Sequence, residues 1–186
     1  MAVRDPEAKR RRLLDAGLAE FAAYGIAGAR IDRIAKLAGC SAGLVYTYFG
    51  SKDELFEAVF EAIIQRAIAD IPITPDDLPG YAGRMFDRHD SYPEVVRLVT
   101  WHQLERAGCG PPLRAVTAAA AAKTAAIRAA QRAGVVSDRF AAEQIVALVL
   151  NLSAMWSSPG PEAGAMTDRA FRRATVVEAV RRLVEP

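Results

Sequence analysis

The chain has 186 residues, 52% hydrophobic and 25% charged, with a formal net charge of +2, long enough for one large or two small cores. Its cysteines, Cys40 and Cys109, lack paired Cys or His spacing, which excludes a zinc site and a disulfide framework and fits a reducing cytoplasm. No uninterrupted apolar run reaches roughly 18 residues, since Phe140 to Trp156 is broken by Glu143, Gln144, Asn151 and Ser153, so no membrane span is expected. Met1 to Arg12 is polar and basic with no apolar core following, so no secretory signal is expected.

The charge is unevenly placed. Residues 1–52 carry nine Lys or Arg against five Asp or Glu, and the remainder carries fifteen against seventeen. A basic segment on a near-neutral body suits a DNA-binding head, although an ordinary solvated face would look the same. Leu13, Leu14, Gly17, Leu18, Phe21 and Ala22 form the apolar stripe of a first helix. Lys9-Arg10-Arg11-Arg12 precedes that stripe. It either lies near phosphates, which its neighbours favour, or solubilises the terminus.

Ile31, Ile34, Ala35 and Ala38 predict a short helix over Ile31 to Leu37. Gly39 ends it, because a residue without Cβ accepts the left-handed conformation of a helix C-terminus. Ser41 is placed to cap a second short helix ending near Tyr48 and Phe49. Ser51 starts another, with Glu54 at capping-box spacing. Two helices joined by a tight turn containing glycine form a helix-turn-helix, whose second helix enters the DNA major groove. In that second helix Ser41, Ala42, Gly43, Leu44, Thr47 and Tyr48 are small, hydroxylic or apolar, with no acid. Gly43 costs about 1 kcal/mol against Ala in a helix; close approach of a phosphate backbone would be a functional reason for it. Leu44 suits a thymine methyl, and Thr47 a base edge or phosphate. Tyr48 and Lys52 suit phosphates, Lys52 beside a helix N-terminus. Phe49 reads as packing between helices, and Tyr46 is balanced between packing and DNA.

The chain here resembles the TetR/AcrR family of bacterial transcriptional regulators. The resemblance rests on Phe21, Tyr24, Gly25, Ile34, Ala35, Ala38, Gly39, Ser41, Gly43, Tyr46, Tyr48, Phe49, Ser51, Lys52, Leu55 and Phe56, and most specifically on the run VYTYFGSKDELF. It covers about the first 60 residues. It implies an all-helical homodimer whose N-terminal domain binds operator DNA and whose C-terminal domain binds an effector. Four residues depart from the pattern. Ala29 and Arg30 stand where the family has Thr or Ser, so a hydroxyl cap is lost and Arg30 offers a charge-assisted phosphate contact instead. Ala42 stands where Lys is common, and Leu44 where Thr is common. The expected DNA contacts are therefore Arg30, Ser41, Ala42, Gly43, Leu44, Tyr46, Thr47, Tyr48 and Lys52.

Leu55, Phe56, Val59, Phe60, Ile63, Ile64, Ala67 and Ile68 predict a helix of about 20 residues and 30 Å, ending before Pro72 and connecting head to body. Ile71 to Gly80, with Pro72, Pro75 and Pro79, reads as an irregular turn. Helices are predicted at Tyr81 to Arg88 and Pro93 to Ala107, with a break at Gly108 to Pro112. An Ala-rich helix follows over Leu113 to Ala133, ended by Gly134. Two more run from Asp138 to Ser157 and from Thr167 to Val184, separated by Pro159-Gly160-Pro161. Ile145, Val146, Leu148, Val149, Leu150, Leu152, Met155 and Trp156 are apolar almost all round their helix. In the last helix Phe171, Val177, Val180 and Val184 share one face, with Arg169, Arg172, Arg173, Arg181 and Arg182 mainly on others. These two helices meet either a symmetry mate in a four-helix contact or only the monomer core, and the resemblance favours the homodimer.

The expected organisation is all-α: a helix-turn-helix DNA-binding domain over 1–52, a connecting helix over 53–70, and an effector-binding and dimerisation domain over 71–186. Candidate effector walls are Met85, Phe86, Leu98, Trp101, His102, Asn151, Leu152, Met155 and Trp156, each of which could instead simply fill the core. His89 and His102, thirteen residues apart with no organised acids, are not expected to bind metal, and no cofactor is expected. Phosphate loops, a nucleophile elbow and paired metal ligands are absent, which argues against an enzyme. The expected function is a ligand-responsive repressor that releases double-stranded operator DNA when a small apolar effector binds. The alternatives are an activator and a helical DNA-binding or scaffold protein without an effector.

Overall fold

A computed structural model describes residues 5–106, 113–157 and 168–186. Among these residues the regular elements are all helical: α1 (Pro6–Gly28), α2 (Ile31–Leu37), α3 (Ala42–Phe49), α4 (Lys52–Asp70), α5 (Leu78–Ser91), α6 (Pro93–Arg106), α7 (Arg114–Arg132), α8 (Ala142–Ala154) and α9 (Arg169–Val184), with one 3-10 turn at Pro75–Asp77. The all-α expectation holds. Ala107, the breaks at Gly108–Pro112 and Pro159–Pro161, Cys109 and Thr167 lie outside the described residues.

The helices form two compact units. The described residues of Met1–Gln65 and Glu94–Leu113 make the first, and those of Arg66–Pro93 and Arg114–Pro186 the second. The division falls within α4, after Gln65. In the first unit, Leu13, Phe21, Ile34, Val45 and Leu55 are almost wholly removed from water. The apolar spacing of α1, α2, α3 and α4 thus converges on one core, which Leu98 of α6 joins. Phe21 meets Phe56 edge to face, with ring centroids 5.3 Å apart. Gly39, at φ +67°, ends α2 as expected, and Cys40 N–H closes the turn on Ala35 O at 2.9 Å.

In the second unit α5 packs on α8 and α9, and α7 packs on α8. Tyr81, Ile127, Ile145, Val149, Val176 and Val180 form its centre. Charges tie α5 to α9: Asp87 holds both Arg169 and Arg173, and Asp90 also holds Arg169. The buried Arg88 pairs with Asp70 at 2.9 Å.

Several boundaries differ from those read in the sequence. Helix α5 begins at Leu78 rather than Tyr81, because Asp77 caps it through Gly80 N–H and Pro79 sits in its first turn, where no backbone donor is needed. Helix α8 begins at Ala142 rather than Asp138. The side-chain amide of Gln131 donates to Ser137 O and Phe140 O, which fixes the preceding segment outside a helix. In α9 the buried ridge is Val176, Val180 and Val184, with Val177 half-buried, while Phe171 is 57% exposed. Phe171 belongs to the first turn and off that i, i+4 ridge, so it does not share the predicted face.

Candidate nucleic-acid interface

Helix α3 turns Val45 and Phe49 into the core and leaves Ser41, Gly43, Tyr46 and Thr47 exposed. Ala42, Leu44 and Tyr48 are half-buried. Ser41 occupies the N-cap position, but its hydroxyl makes no cap bond. That expectation is corrected: the hydroxyl is free to face a partner. Thr47 Oγ1 donates to Gly43 O at 2.9 Å, so its remaining lone pairs are what it can offer. Tyr46 is 51% exposed. The Tyr48 hydroxyl reaches Pro6 O at 3.5 Å, and the Arg10 guanidinium lies 5.5 Å from the Phe49 ring centre. Both contacts bring the basic start of α1 beside the end of α3.

The corner between α1 and α2 is held by side chains that sequence reasoning missed. The Arg30 N–H, at the N-cap of α2, donates to Glu20 Oε1 at 2.9 Å. The Glu20 carboxylate, only 7% exposed, also pairs with Arg33 at 2.6 Å, and their bond is the first cause raising the Arg33 pKa. Arg33 further donates to Gly28 O at 2.9 Å and lies 4.2 Å over the Tyr24 ring. A carboxylate on α1 therefore satisfies the N-cap backbone N–H, the group an N3 side chain takes in a capping box, while no side chain supplies the hydroxyl's own bond to N2 or N3. The available signal was an acid, Glu20, within the apolar stripe containing Gly17 and Phe21.

Lys52 also serves this corner. Its Nζ donates to Ala27 O at 3.2 Å and Ala29 O at 3.3 Å, leaving one of its three donors. Ser51 Oγ caps α4 by accepting Glu54 N–H at 3.1 Å. The reciprocal half of the expected box is not made, since Ser51 N–H donates to Phe49 O.

The candidate effector residues fall in both units. In the first, Leu98 is buried in the core, and the Trp101 indole donates to Ala22 O at 3.2 Å. His102 stacks on Phe56 at 5.9 Å, and burial, then Arg106, lowers its pKa. In the second, Phe86 and Trp156 line a crevice of about 130 Å³ with His89, Asp90, Pro93, Ser157 and Arg172. The buried Trp156 Nε1 has no hydrogen-bond partner among the described residues. Met85 is buried, Leu152 is half-buried, and Asn151 and Met155 are exposed, with Asn151 bonded to Ala147 O at 2.8 Å. Leu148, Met155 and Phe171 are exposed apolar side chains on or beside α8 and α9. Among the described residues no helix is long and apolar enough to cross a membrane.

Comparison with known proteins agrees with this geometry. Residues 13–59 match the family described as bacterial regulatory proteins, tetR family, and residues 77–182 match the tetracyclin repressor-like C-terminal domain. The HTH-type transcriptional repressor SCO4008 of Streptomyces coelicolor is 37% identical over 192 residues, covering 100% of both chains. The crystal structure of the transcriptional regulator SCO4942 of Streptomyces coelicolor is 38% identical, covers 95% of this chain and 98% of that one, and superposes with a TM-score of 0.82. FadR of Bacillus subtilis, solved in complex with stearoyl-CoA, is similar in fold alone: 17% identical, 91% and 96% covered, TM-score 0.64. The chain is a helix-turn-helix DNA-binding regulator and belongs to the TetR family.

Proposed function

We propose that the chain represses transcription as a homodimer on a pseudo-palindromic operator, with the two α3 helices in major grooves about one DNA turn (~34 Å) apart. The observation that carries this is the exposed row Ser41, Gly43, Tyr46 and Thr47 on a helix otherwise fixed in the core. A Cβ built on Gly43 would meet nothing within 4 Å, so nothing inside the protein accounts for a glycine in the middle of a short helix. A DNA backbone at that surface would. Leu44 is assigned to a thymine methyl, Tyr46, Thr47 and Tyr48 to base edges or phosphates, and Arg30, Ser41 and the remaining Lys52 donor to phosphates. Ala42 lies along the contact without a polar group. We assign 1–52 to reading DNA, 53–70 to connecting and 71–186 to sensing and dimerising through α8 and α9, with α6 packed in the first unit.

Repression is supported by the full-length similarity to a repressor, and an effector by the C-terminal family match. The effector is a small molecule that favours the non-binding state. A hundredfold release needs about 2.7 kcal/mol of that preference, and operator weakens effector binding by the same factor.

Gly43→Ala tests the interface. It should stabilise the free protein by about 0.5–1 kcal/mol, because Ala is the better helix former. It should also weaken binding to a duplex that the parent enriches from a random-sequence pool. Denaturation and fluorescence anisotropy measure the two effects. A variant both more stable and equal in affinity would remove Gly43 from the interface.

A further inference from the structure

Helix α1 is not continuous. Gly25 has φ 72° and ψ 179°, so the helix breaks there and restarts through Ile26 to Gly28. A break strands backbone groups on both sides: carbonyls of the turn before it and N–H groups of the turn after it. Both kinds are satisfied from one face of α6. Glu105 Oε1 accepts Ile26 N–H at 3.2 Å, and Oε2 accepts Ala27 N–H at 2.8 Å. One turn earlier on α6, the Trp101 indole donates to Ala22 O at 3.2 Å. The fit leaves no room for a side chain at residue 25. A Cβ there would collide with the Glu105 carboxylate and approach Trp101 Cε3 to 3.0 Å. Arg106, next along α6, pairs with Asp53 in the first turn of α4.

The two N–H groups held by Glu105 immediately precede the corner that sets α2. Ala27 O and Ala29 O accept Lys52, Gly28 O accepts Arg33, and Arg30 N–H is held by Glu20. Glu20, Arg33 and Lys52 come from helices that pack with the helix-turn-helix itself. Glu105 comes from 78 or 79 positions further along the chain. The corner determines the direction in which α2 leaves α1, and α2 with the Gly39 turn determines the pose of α3. We propose that Glu105, on a helix with no place in the DNA-contacting surface, is a positioning residue for operator recognition. It fixes the α1–α2 corner so that α3 enters the groove in one register. This rests on the DNA-binding reading of α3. Base readout depends on that register, whereas phosphate attraction does not. Glu105 therefore acts on the difference between specific and non-specific binding.

The test uses the full chain and two probes: a duplex enriched from a random pool by the parent protein, and a scrambled duplex of equal length. Glu105→Ala leaves two N–H groups without their carboxylate and should lose about tenfold in affinity for the enriched duplex, with less than about twofold for the scrambled one. Glu105→Gln keeps one carbonyl acceptor and should fall between parent and Ala variant. Trp101→Phe keeps the ring and removes only the bond to Ala22 O; it should lose about twofold to threefold in the same selective way and serves where Glu105→Ala does not fold. Circular dichroism gives the folded fraction for each. Parent-like affinity of the folded variants for the enriched duplex would overturn the proposal and leave Glu105 a strut. Equal losses on both duplexes would overturn it too. A parent that enriches no duplex would instead defeat the DNA-binding reading on which it stands.

Discussion

The two units are made of the same kind of helix, yet they satisfy their helix ends differently. In the second unit the N-terminal caps of α5 and α9 are local: Asp77 accepts from Gly80 N–H, and Asp168 accepts from Ala170 and Phe171 N–H. In the first unit the N-caps of α1 and α4 are local too, but the ends that meet at the α1–α2 corner are held from afar, by Glu20 ten residues from Arg30, Lys52 on α4 and Glu105 on α6. A local cap stabilises its helix and little else. A remote cap fixes the angle between two helices, which is the property a groove-reading head requires.

That contrast is open to attack. Replacing Glu20 with Ala should have the largest effect. It strips a buried carboxylate from Arg30 N–H and Arg33, and should cost on the order of 2–3 kcal/mol in urea denaturation. It should also lower operator affinity of the protein that remains folded. Asp168→Ala removes a local cap and should cost about 1 kcal/mol. It should leave the affinity of the folded protein unchanged. If Asp168→Ala weakened operator binding as much as Glu20→Ala, the distinction between local and remote caps would collapse.

The smallest effect sharpens the second unit. Burial, opposed by the bond to Ser153 O and aided by Arg88, lowers the His89 pKa from its ordinary 6.5. As the pH falls, the unfolded chain takes up this proton first. His89 therefore contributes stability above about pH 6.5 that is lost as pH falls through its lower folded value. His89→Gln should shrink the fall in urea midpoint between about pH 7.5 and 5.5, leaving the part due to His102, which shifts the same way. An unchanged slope would show that the burial of His89 has no energetic weight.

Legibility in the sequence follows the same division. The helix-turn-helix was readable because its signals lie within a few residues of one another: the period of Ile31, Ile34 and Ala35, the turn at Gly39, and Ser51 before Glu54. The apolar spacing of α4 and the stop of α7 at Gly134 were readable for the same reason. Glu105 was not, because nothing near it in the chain records that a helix break lies against it. Trp101 was readable as an aromatic to be buried, but not as a donor to Ala22 O. In α9 two interleaved apolar sets, Val176-Val180-Val184 and Phe171-Val177-Val180-Val184, were available to the eye. Burial selects the first: Val176, Val180 and Val184 lie in the core, whereas Phe171 is exposed. Expected positions of Ser41, Gly43 and Tyr46 at an accessible surface agree with their exposure, whereas the effector residues carried no short-range pattern that could have sorted them.

The break at Gly25 also sets an order of events during synthesis. Every residue of the DNA motif, and the core side chains that α1 to α4 supply, are synthesised before α6 begins. Ile26 and Ala27 N–H still await Glu105, 78 or 79 residues behind. A nascent head can thus collapse early, but its corner closes only once the chain is translated past Arg106. If Glu105 sets the register of α3, as proposed above, the head gains its reading geometry only after α5 has been made.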